Sequence, residues 1–289
     1  MSKVNERIRI MSQTTSQNIS GAHQWQDKVI LITGASAGIG AALSRVFAQQ
    51  GAKVVVTARR LERLEALSNE LKEQGYDSLA VVCDVTQPDS VASCVQQVID
   101  HWGRLDVIIA NAGFGVAGAL TRLTAEDYQR QFDTNVFGVI HSLKAAIPHL
   151  TQTQGRAVIV GSVNSYVSLA HNSAYAMSKF AVRALAQSLW NEWARKGVSV
   201  TLANPGFVES EIRKVNNQGV FNEDKKDFVP AWLMMPAMKA AQQISKACLK
   251  RKREVIITGH GKFIVFLARF FPSLTFQILK RAKRPKLSD

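Results

Sequence analysis

The sequence predicts an α/β protein in which a doubly wound parallel sheet of seven strands forms a single domain. Two observations support this class. Seven short runs rich in β-branched residues are continuously apolar, as strands buried on both faces of a sheet are. Most of the stretches between them are long enough for the helix that parallel strands need as a crossover. Ligands of such sheets bind beyond the carboxyl ends of the strands, near the point where the strand order reverses.

The predicted strands lie at residues 29–33, 53–58, 79–84, 106–111, 156–162, 198–204 and 254–259. A chain of 289 residues with 46% hydrophobic composition is long enough for one large core. We expect a disordered polar tail over 1–27, a globular domain over 28–260 and a basic amphipathic helical extension over 261–289. No apolar run is long enough to span a membrane, so the composition predicts a soluble, cytoplasmic protein.

The net charge of +14 is concentrated at one end of the chain. Residues 246–289 hold twelve Lys or Arg against two acidic residues, whereas the rest of the chain has an ordinary charge balance. The body shows no nucleic-acid-binding module, so we expect no nucleic acid partner. Three widely spaced cysteines suggest neither a disulfide framework nor a metal site, and a reducing compartment is expected.

A glycine-rich turn follows the first predicted strand and leads into an amphipathic helix. It reads Thr33-Gly34-Ala35-Ser36-Ala37-Gly38-Ile39-Gly40. Glycines let the backbone approach a pyrophosphate, whose charge is stabilised by the free N–H groups at the start of the helix. The position between a strand and a helix favours a dinucleotide site over a merely tight turn.

The end of the second strand indicates which dinucleotide binds. An NAD site places a carboxylate there for the ribose 2′-hydroxyl, whereas an NADP site needs cations for the 2′-phosphate. The strand ends with Arg59 and Arg60 and has no acid. NADP(H) is therefore preferred and NAD(H) is the alternative. We expect Arg59 to carry most of the contact, because Arg60 is more readily explained as a solvated residue of the next helix.

The candidate catalytic residues lie in the second half of the domain. Tyr175 and Lys179 are four residues apart in a helical run, so their side chains share one face. A neighbouring ammonium would lower the pKa of the phenol toward neutrality. Ser162 ends the fifth strand and so reaches the same crevice. Asn135 lies in the long helical stretch after the fourth strand.

Together these motifs resemble the short-chain dehydrogenase/reductase family, whose members have a Rossmann-type sheet, over about residues 28 to 260. The family's TGxxxGxG motif matches Thr33 to Gly40, its adenine-binding Asp matches Asp84-Val85, its NAG motif matches Asn111-Ala112-Gly113, its PG motif matches Pro205-Gly206, and its catalytic residues match Asn135, Ser162, Tyr175 and Lys179. Seven matches in chain order identify the chain as a member.

The resemblance implies a role for each matched residue. Tyr175 would give a proton to the substrate oxygen as hydride leaves the nicotinamide, and Ser162 would hydrogen-bond the same oxygen. Lys179 would hold the nicotinamide ribose and lower the pKa of the phenol, and Asn135 would fix a water that refills the proton chain. The implied cofactor-binding residues are Gly34, Ser36, Gly38, Ile39, Gly40, Arg59, Arg60, Asp84, Val85, Asn111, Ala112, Gly113, Tyr175, Lys179, Pro205, Gly206 and Val208. Members usually pair, so a homodimer or homotetramer is expected.

Two segments outside these motifs predict surfaces. The apolar run at 228–235 is either a lid over a greasy substrate or a loop packed on the core, and both interpretations stay open. Residues 263–286 combine aromatic residues with a basic cluster, which predicts peripheral contact with the inner face of a membrane. The alternative is that their aromatics cover the substrate pocket or a subunit interface.

We therefore expect an NADP(H)-dependent oxidoreductase that interconverts a ketone or aldehyde and an alcohol on a hydrophobic, lipid-like substrate. One rival interpretation is an NAD-dependent, hydroxysteroid-like alcohol dehydrogenase. Another is a dinucleotide-binding scaffold without turnover. The complete set of Ser, Tyr, Lys and Asn argues against the scaffold, because binding alone gives no physical reason to keep all four.

Overall fold

A seven-stranded sheet forms the centre of the computed structural model, which describes residues 24–224, 227 and 229–281. The strands are β1 (Val29–Thr33), β2 (Lys53–Ala58), β3 (Ser78–Val82), β4 (Val107–Ala110), β5 (Arg156–Val160), β6 (Ser199–Asn204) and β7 (Glu254–Ile256). Neighbouring strands are parallel, in the order β3-β2-β1-β4-β5-β6-β7. The predicted fold class and all seven predicted strands are confirmed, with strand ends within three residues.

Helices cover both faces of this sheet. They are α1 (Gly38–Gln49), α2 (Leu61–Glu73), α3 (Pro88–Trp102), α4 (Ala125–Phe132), α5 (Gly138–Thr153), α6 (Ser173–Ala194), α7 (Ala237–Leu249), α8 (Gly259–Phe270) and α9 (Pro272–Arg281). Apolar residues of α1, α2 and α7 fill one core, and those of α3, α5 and α6 fill the other. Strand order reverses between β1 and β4, which places the crevice at the carboxyl ends of these strands.

The folded part of the chain begins before residue 28, where the sequence predicts its start. Trp25 is only 1% exposed, its ring packs edge-on against Phe47, and its indole N–H donates to Ser245 at 3.0 Å. The disordered tail predicted over 1–27 is therefore wrong for residues 24–27, because burial of one large indole outweighs the polar residues around it. Residues 1–23 lie outside the described residues.

The predicted C-terminal extension folds as two helices, α8 and α9, that meet at Phe271 and Pro272. A proline is tolerated at the first position of a helix but cannot continue the preceding one. Val265 of α8 is buried against Val163 and Val167, so the extension packs on the domain. The boundary predicted at residue 260 falls inside α8. Residues 282–289, with part of the basic cluster, lie outside the described residues.

Candidate active site

Glycines in the turn between β1 and α1 let the backbone pack more closely than any side chain would allow, and we call this turn the glycine cradle. Gly34 has a φ of +67°, and a Cβ there would lie 2.7 Å from the Cα of Ala112. A Cβ on Gly40 would collide with the carbonyl oxygen of Gly34. Ala37, at the N-terminus of α1, provides no capping side chain. The uncapped N–H groups and the glycine cradle fit a dinucleotide pyrophosphate.

The ends of β1 and β4 are tied together at the point where the strand order reverses. The Asn111 side chain donates to the carbonyl oxygens of Thr33 and Gly34, at 2.9 and 3.1 Å. The Thr33 hydroxyl accepts from the backbone N–H groups of Asn111 and Ala112, at 3.0 and 3.1 Å. Asn111 and Ala112 therefore lie directly beside the glycine turn, and the hydrogen bonds fix its shape; their contact with a dinucleotide stays a prediction.

Asp84 and Val85 follow β3 at the same edge of the sheet. One Asp84 carboxylate oxygen accepts from the backbone N–H and the hydroxyl of Thr86, at 3.0 and 2.8 Å. Val85 is buried, and its carbonyl oxygen is 3.0 Å from Nδ1 of His141. These hydrogen bonds hold the two residues at the carboxyl end of β3, and their contact with the adenine stays a prediction.

The two arginines after β2 lie in different surroundings, and which of them would carry a 2′-phosphate stays a prediction. Arg59 is exposed, whereas Arg60 donates to the Ser36 hydroxyl of the glycine turn at 3.0 Å. Arg60, which the sequence left as the secondary contact, is therefore the one that reaches the turn. Sequence reasoning missed Arg63, although it follows Arg60 by three residues and so shares its helix face. Arg63 donates to both carboxylate oxygens of Glu211, at 2.7 and 2.8 Å.

The structure brings Tyr175, Ser162 and Lys179 together at the carboxyl end of β5. Tyr175 and Lys179 lie on α6. The Ser162 hydroxyl accepts from the backbone N–H of Asn164 at 3.1 Å and is close enough to the phenol to influence the pKa of Tyr175. Lys179 is 6% exposed and its ammonium donates to the carbonyl oxygen of Val160 at 2.9 Å. The Lys179 Nζ lies 5.6 Å from the centre of the Tyr175 ring.

Burial dominates the electrostatics of this group. It raises the pKa of the Tyr175 phenol, and the Ser162 hydrogen bond and the Arg213 guanidinium only partly oppose the effect. Burial also lowers the pKa of Lys179 to about 8. The lowering of the Tyr175 pKa by Lys179 stays a prediction, since the groups that lower it here are Ser162 and Arg213. The phenol therefore holds its proton at neutral pH and is equipped to act as an acid.

Asn135 lies in a π-helical turn, Asp133–Phe137, that joins α4 to α5. Its amide accepts from the backbone N–H of Phe114 at 3.1 Å and donates to the Phe114 carbonyl oxygen at 3.0 Å and to Ser178 at 3.2 Å. A Cβ on Gly113 would lie 3.0 Å from the Asn135 Oδ1. The side chain therefore positions the turn after β4, and its role in fixing a water stays a prediction.

The end of β6 is supported by a histidine that sequence reasoning missed. His260 stacks on Phe207, and its Nε2 accepts from the Phe207 backbone N–H at 3.1 Å. A Cβ on Gly206 would lie 2.5 Å from that nitrogen. Pro205 accepts from the Val163 N–H at 2.9 Å, which ties this segment to the turn after β5. Only the fold could show that the first turn of α8 reaches this edge.

The apolar run predicted at 228–235 lies in the segment between β6 and α7, and its residues differ in their exposure. Val229 is buried, whereas Trp232 is 83% exposed, and Phe228 lies outside the described residues. Arg213, also missed, is largely buried and donates to Asp227 at 2.7 Å and to the carbonyl oxygen of Val208 at 3.2 Å. The segment is therefore partly packed on the core and partly presented to solvent.

Comparison with known proteins agrees with this geometry. The family model described as short chain dehydrogenase matches residues 28–220. The chain belongs to the short-chain dehydrogenase/reductase family. It is therefore an oxidoreductase with a nucleotide-binding fold. The family match ends before α7, so the helices after residue 220 are described by the structure alone.

Two curated relatives span most of the chain. The uncharacterized oxidoreductase YxnA of Bacillus subtilis is 34% identical over 260 residues, which are 89% of this chain and 72% of the relative. The dehydrogenase/reductase SDR family member 7B of Bos taurus is 30% identical over 278 residues, covering 91% and 84% of the two chains. Both are similar to this chain well beyond the cofactor motifs.

Solved structures support the fold. An alcohol dehydrogenase from the archaeon Thermococcus sibiricus, complexed with 5-hydroxy-NADP, superimposes with a TM-score of 0.70 at 29% identity, covering 80% of this chain and 96% of that one. A short chain dehydrogenase/reductase from Burkholderia phymatum, in complex with NAD, gives a TM-score of 0.77 at 23% identity and covers 92% and 99%. The second likeness concerns the fold alone.

Proposed function

We propose that this oxidoreductase uses NADP(H) to interconvert a ketone or aldehyde and an alcohol on a hydrophobic substrate. One observation carries the proposal: Tyr175 and Lys179 lie on one face of α6, with the Lys179 Nζ 5.6 Å from the centre of the Tyr175 ring, at the same edge of the sheet as Ser162 and the glycine turn. A proton donor therefore lies next to the position that the cradle gives to a dinucleotide.

In the reducing direction, a bound nicotinamide supplies the hydride. Tyr175 keeps its proton until the substrate oxygen gains charge, and then transfers it to that oxygen. Ser162 donates a hydrogen bond to the same oxygen and so orients the carbonyl. Lys179, whose Nζ lies 5.6 Å from the centre of the Tyr175 ring, would hold the nicotinamide ribose of the cofactor.

Three arginines support the preference for NADP(H). Arg59, Arg60 and Arg63 lie at the end of β2 or in the first turn of α2, where the 2′-phosphate of the cofactor would lie. The Thermococcus sibiricus relative was solved with an NADP derivative. The rival NAD(H) enzyme gains some support from Glu211, whose carboxylate is paired with two of these arginines.

Exposed apolar side chains support the hydrophobic substrate. The strand-end loops around residues 117, 171 and 217 are joined by hydrogen bonds, from Gly118 N–H to His171 and between Ala117 and Asn217. Gly115 lies just before the first of these loops, and a Cβ there would be 3.6 Å from the ring of Tyr175. Apolar residues of these loops that remain exposed are Leu120, Leu169 and Val220, and Trp232 is exposed in the segment before α7. They would contact a greasy substrate at the entrance.

The proposal is tested by hydride transfer to carbonyl substrates of increasing chain length, with NADPH and NADH compared at equal concentration. We expect turnover with NADPH that improves as the apolar part of the substrate lengthens. Ser162→Ala should lower kcat by about a hundredfold. Preference for NADH would support the rival dehydrogenase, and no turnover in either direction would support the scaffold.

We also propose that two copies of the chain pair through the helices beside the active site. Phe137, Met177 and Phe180 are large apolar residues that remain exposed at the joint of α4 with α5 and on α6. Burial of such a patch is favourable, and pairing is usual in the family. Phe180→Glu should convert a dimer to a monomer in sedimentation, whereas an unchanged mass would contradict this interface.

Finally, we propose that α8 and α9 contact an anionic membrane surface. Their exposed apolar residues are Phe263, Phe266, Phe270, Phe271, Leu274, Phe276 and Ile278, and Lys262, Lys280 and Arg281 add cations. No helix within the described residues has the length and apolar character to cross a bilayer. An amphipathic surface of this composition suits the headgroup boundary instead.

Vesicle sedimentation tests the membrane contact. We expect binding to vesicles rich in phosphatidylserine that weakens with salt, and loss of binding in Phe276→Glu. Leu120→Glu, a matched change of an exposed apolar residue elsewhere, should leave vesicle binding intact. Equal binding by the wild type and Phe276→Glu would refute the contact, and a change of oligomeric mass in Phe276→Glu would assign the surface to a second copy.

A further inference from the structure

A segment after β6 reaches the cofactor end of the crevice. We call residues 211–221 the flap. It begins with a 3₁₀ turn, Glu211–Lys214, and doubles back where Val215 pairs with Phe221. Ser210, at its root, lies against Gly38, where a Cβ would be 3.0 Å from the Ser210 Cβ. The flap therefore starts beside the turn that receives the pyrophosphate.

Each arginine after β2 meets the flap. Arg63 binds both carboxylate oxygens of Glu211, at 2.7 and 2.8 Å, and its guanidinium lies 5.4 Å from the centre of the Phe221 ring. Arg60 contacts Glu211 at 3.5 Å. A Cβ on Gly219 would be 4.0 Å from the Arg59 Nη2. The flap therefore contacts the same arginines that, under the proposed function, bind the 2′-phosphate.

The Glu211 carboxylate and a 2′-phosphate would therefore bind the same guanidinium groups, those of Arg60 and Arg63. A phosphate carries more charge than a carboxylate and also binds guanidinium groups in a bidentate way. The Glu211 side chain is 31% exposed and those of Arg60 and Arg63 are 41% and 38% exposed, so solvent weakens the existing pairs and leaves them open to exchange.

We infer that Glu211 is an internal competitor of the 2′-phosphate and thereby a residue that sets the choice between NADP(H) and NAD(H). In the absence of the phosphate, Glu211 holds the flap closed on Arg60 and Arg63. The phosphate displaces the carboxylate, and the flap is released from α2. This inference rests on the proposed NADP(H) site.

Calorimetric titration with adenosine 2′,5′-bisphosphate and with AMP isolates this effect from catalysis. The proteins are the wild type, Glu211→Gln, and Glu209→Gln as a matched control. Glu209 is an exposed carboxylate two residues earlier. It accepts from the backbone N–H of Ala237 at 3.4 Å, whereas Glu211 is paired with the arginines. Glu211→Gln should bind the bisphosphate about fivefold more tightly, with AMP affinity unchanged within about twofold, because it removes a part-exposed ion pair. Glu209→Gln should match the wild type.

Tryptic cleavage after Lys214, followed by mass spectrometry, gives a second readout, because Lys214 donates to the carbonyl oxygen of Glu223 at an exposed site whereas Arg213 stays paired with Asp227. The bisphosphate should speed this cleavage several-fold in the wild type, and AMP should not. Glu211→Gln should be cleaved rapidly with either ligand, because its flap is already released.

The outcomes separate the inference from the proposed function. If the wild type and both variants bind the bisphosphate no better than AMP, the NADP(H) site itself is wrong. If the wild type prefers the bisphosphate but Glu211→Gln binds it equally or less tightly, the competition is refuted and Glu211 instead supports the arginines.

Discussion

The turns around the crevice and the segments packed over it are held in different ways. The β1–α1 turn and the turn after β4 are held by close backbone contacts and by part-buried hydrogen bonds. The flap and the helices α8 and α9 are held by part-exposed ion pairs and a few apolar anchors. The comparison teaches that the chemistry rests on a rigid base, whereas the choice of cofactor and substrate rests on surfaces that exchange partners easily.

The largest effect should come from filling the glycine cradle. Gly40→Ala places a methyl group against the carbonyl oxygen of Gly34. Because this oxygen belongs to the backbone, it can make room for the methyl group only if the whole turn moves. We expect the free energy of unfolding to fall by about 3 kcal/mol and dinucleotide affinity to fall with it. Chemical denaturation and NADPH titration measure the two losses.

Gly259→Ala is the matched control, because Gly259 also begins a helix but has open space around its Cβ position. It should leave binding unchanged and raise stability by about 0.5 kcal/mol. Equal losses of stability and of dinucleotide affinity in the two variants would contradict the close packing of the glycine turn as the cause.

The next effect concerns the buried ammonium of Lys179. Its folded-state pKa of about 8 lies below the ordinary value of 10.5, so the unfolded chain binds more protons between these values. The unfolding free energy contributed by this residue therefore rises with pH through that window. The wild type should gain about 2 kcal/mol relative to Lys179→Met between about pH 7.5 and 9.5.

Urea denaturation of both proteins at the two pH values, without cofactor, measures this difference. A stability difference that is independent of pH would mean that Lys179 is hydrated rather than buried beside Val160.

The smallest effects distinguish the anchor of the C-terminal helices from their exposed surface. Val265 is 4% exposed in a small cluster with Val163 and Val167, so Val265→Ala should cost about 1.5 kcal/mol. Phe276 is 72% exposed, and Phe276→Ser should change stability by less than about 0.5 kcal/mol. Thermal unfolding compares them. A larger loss for Phe276→Ser would mean that its ring is covered in solution, for example by a second copy.

The same contrast explains what could be predicted from the sequence. The strands and the glycine turn are local patterns, and Tyr175 and Lys179 are one helical turn apart, so their placement follows from short-range geometry. The contacts of Glu211 with Arg63 and of His260 with Phe207 join residues that are 148 and 53 positions apart. No local pattern encodes such pairs. Trp25 was missed for the same reason, because its partner Ser245 lies 220 residues away.

The proposed activity depends on the phenol of Tyr175 as the proton donor of a nicotinamide-dependent reaction. It is tested most directly by comparing Tyr175→Phe with Tyr76→Phe, which removes the same hydroxyl from a tyrosine packed on the core beside β3. With NADPH and the best carbonyl substrate, Tyr175→Phe should lower kcat by about a thousandfold while the Kd for NADPH stays within about twofold, and Tyr76→Phe should match the wild type. Equal turnover by Tyr175→Phe and the wild type would contradict the account.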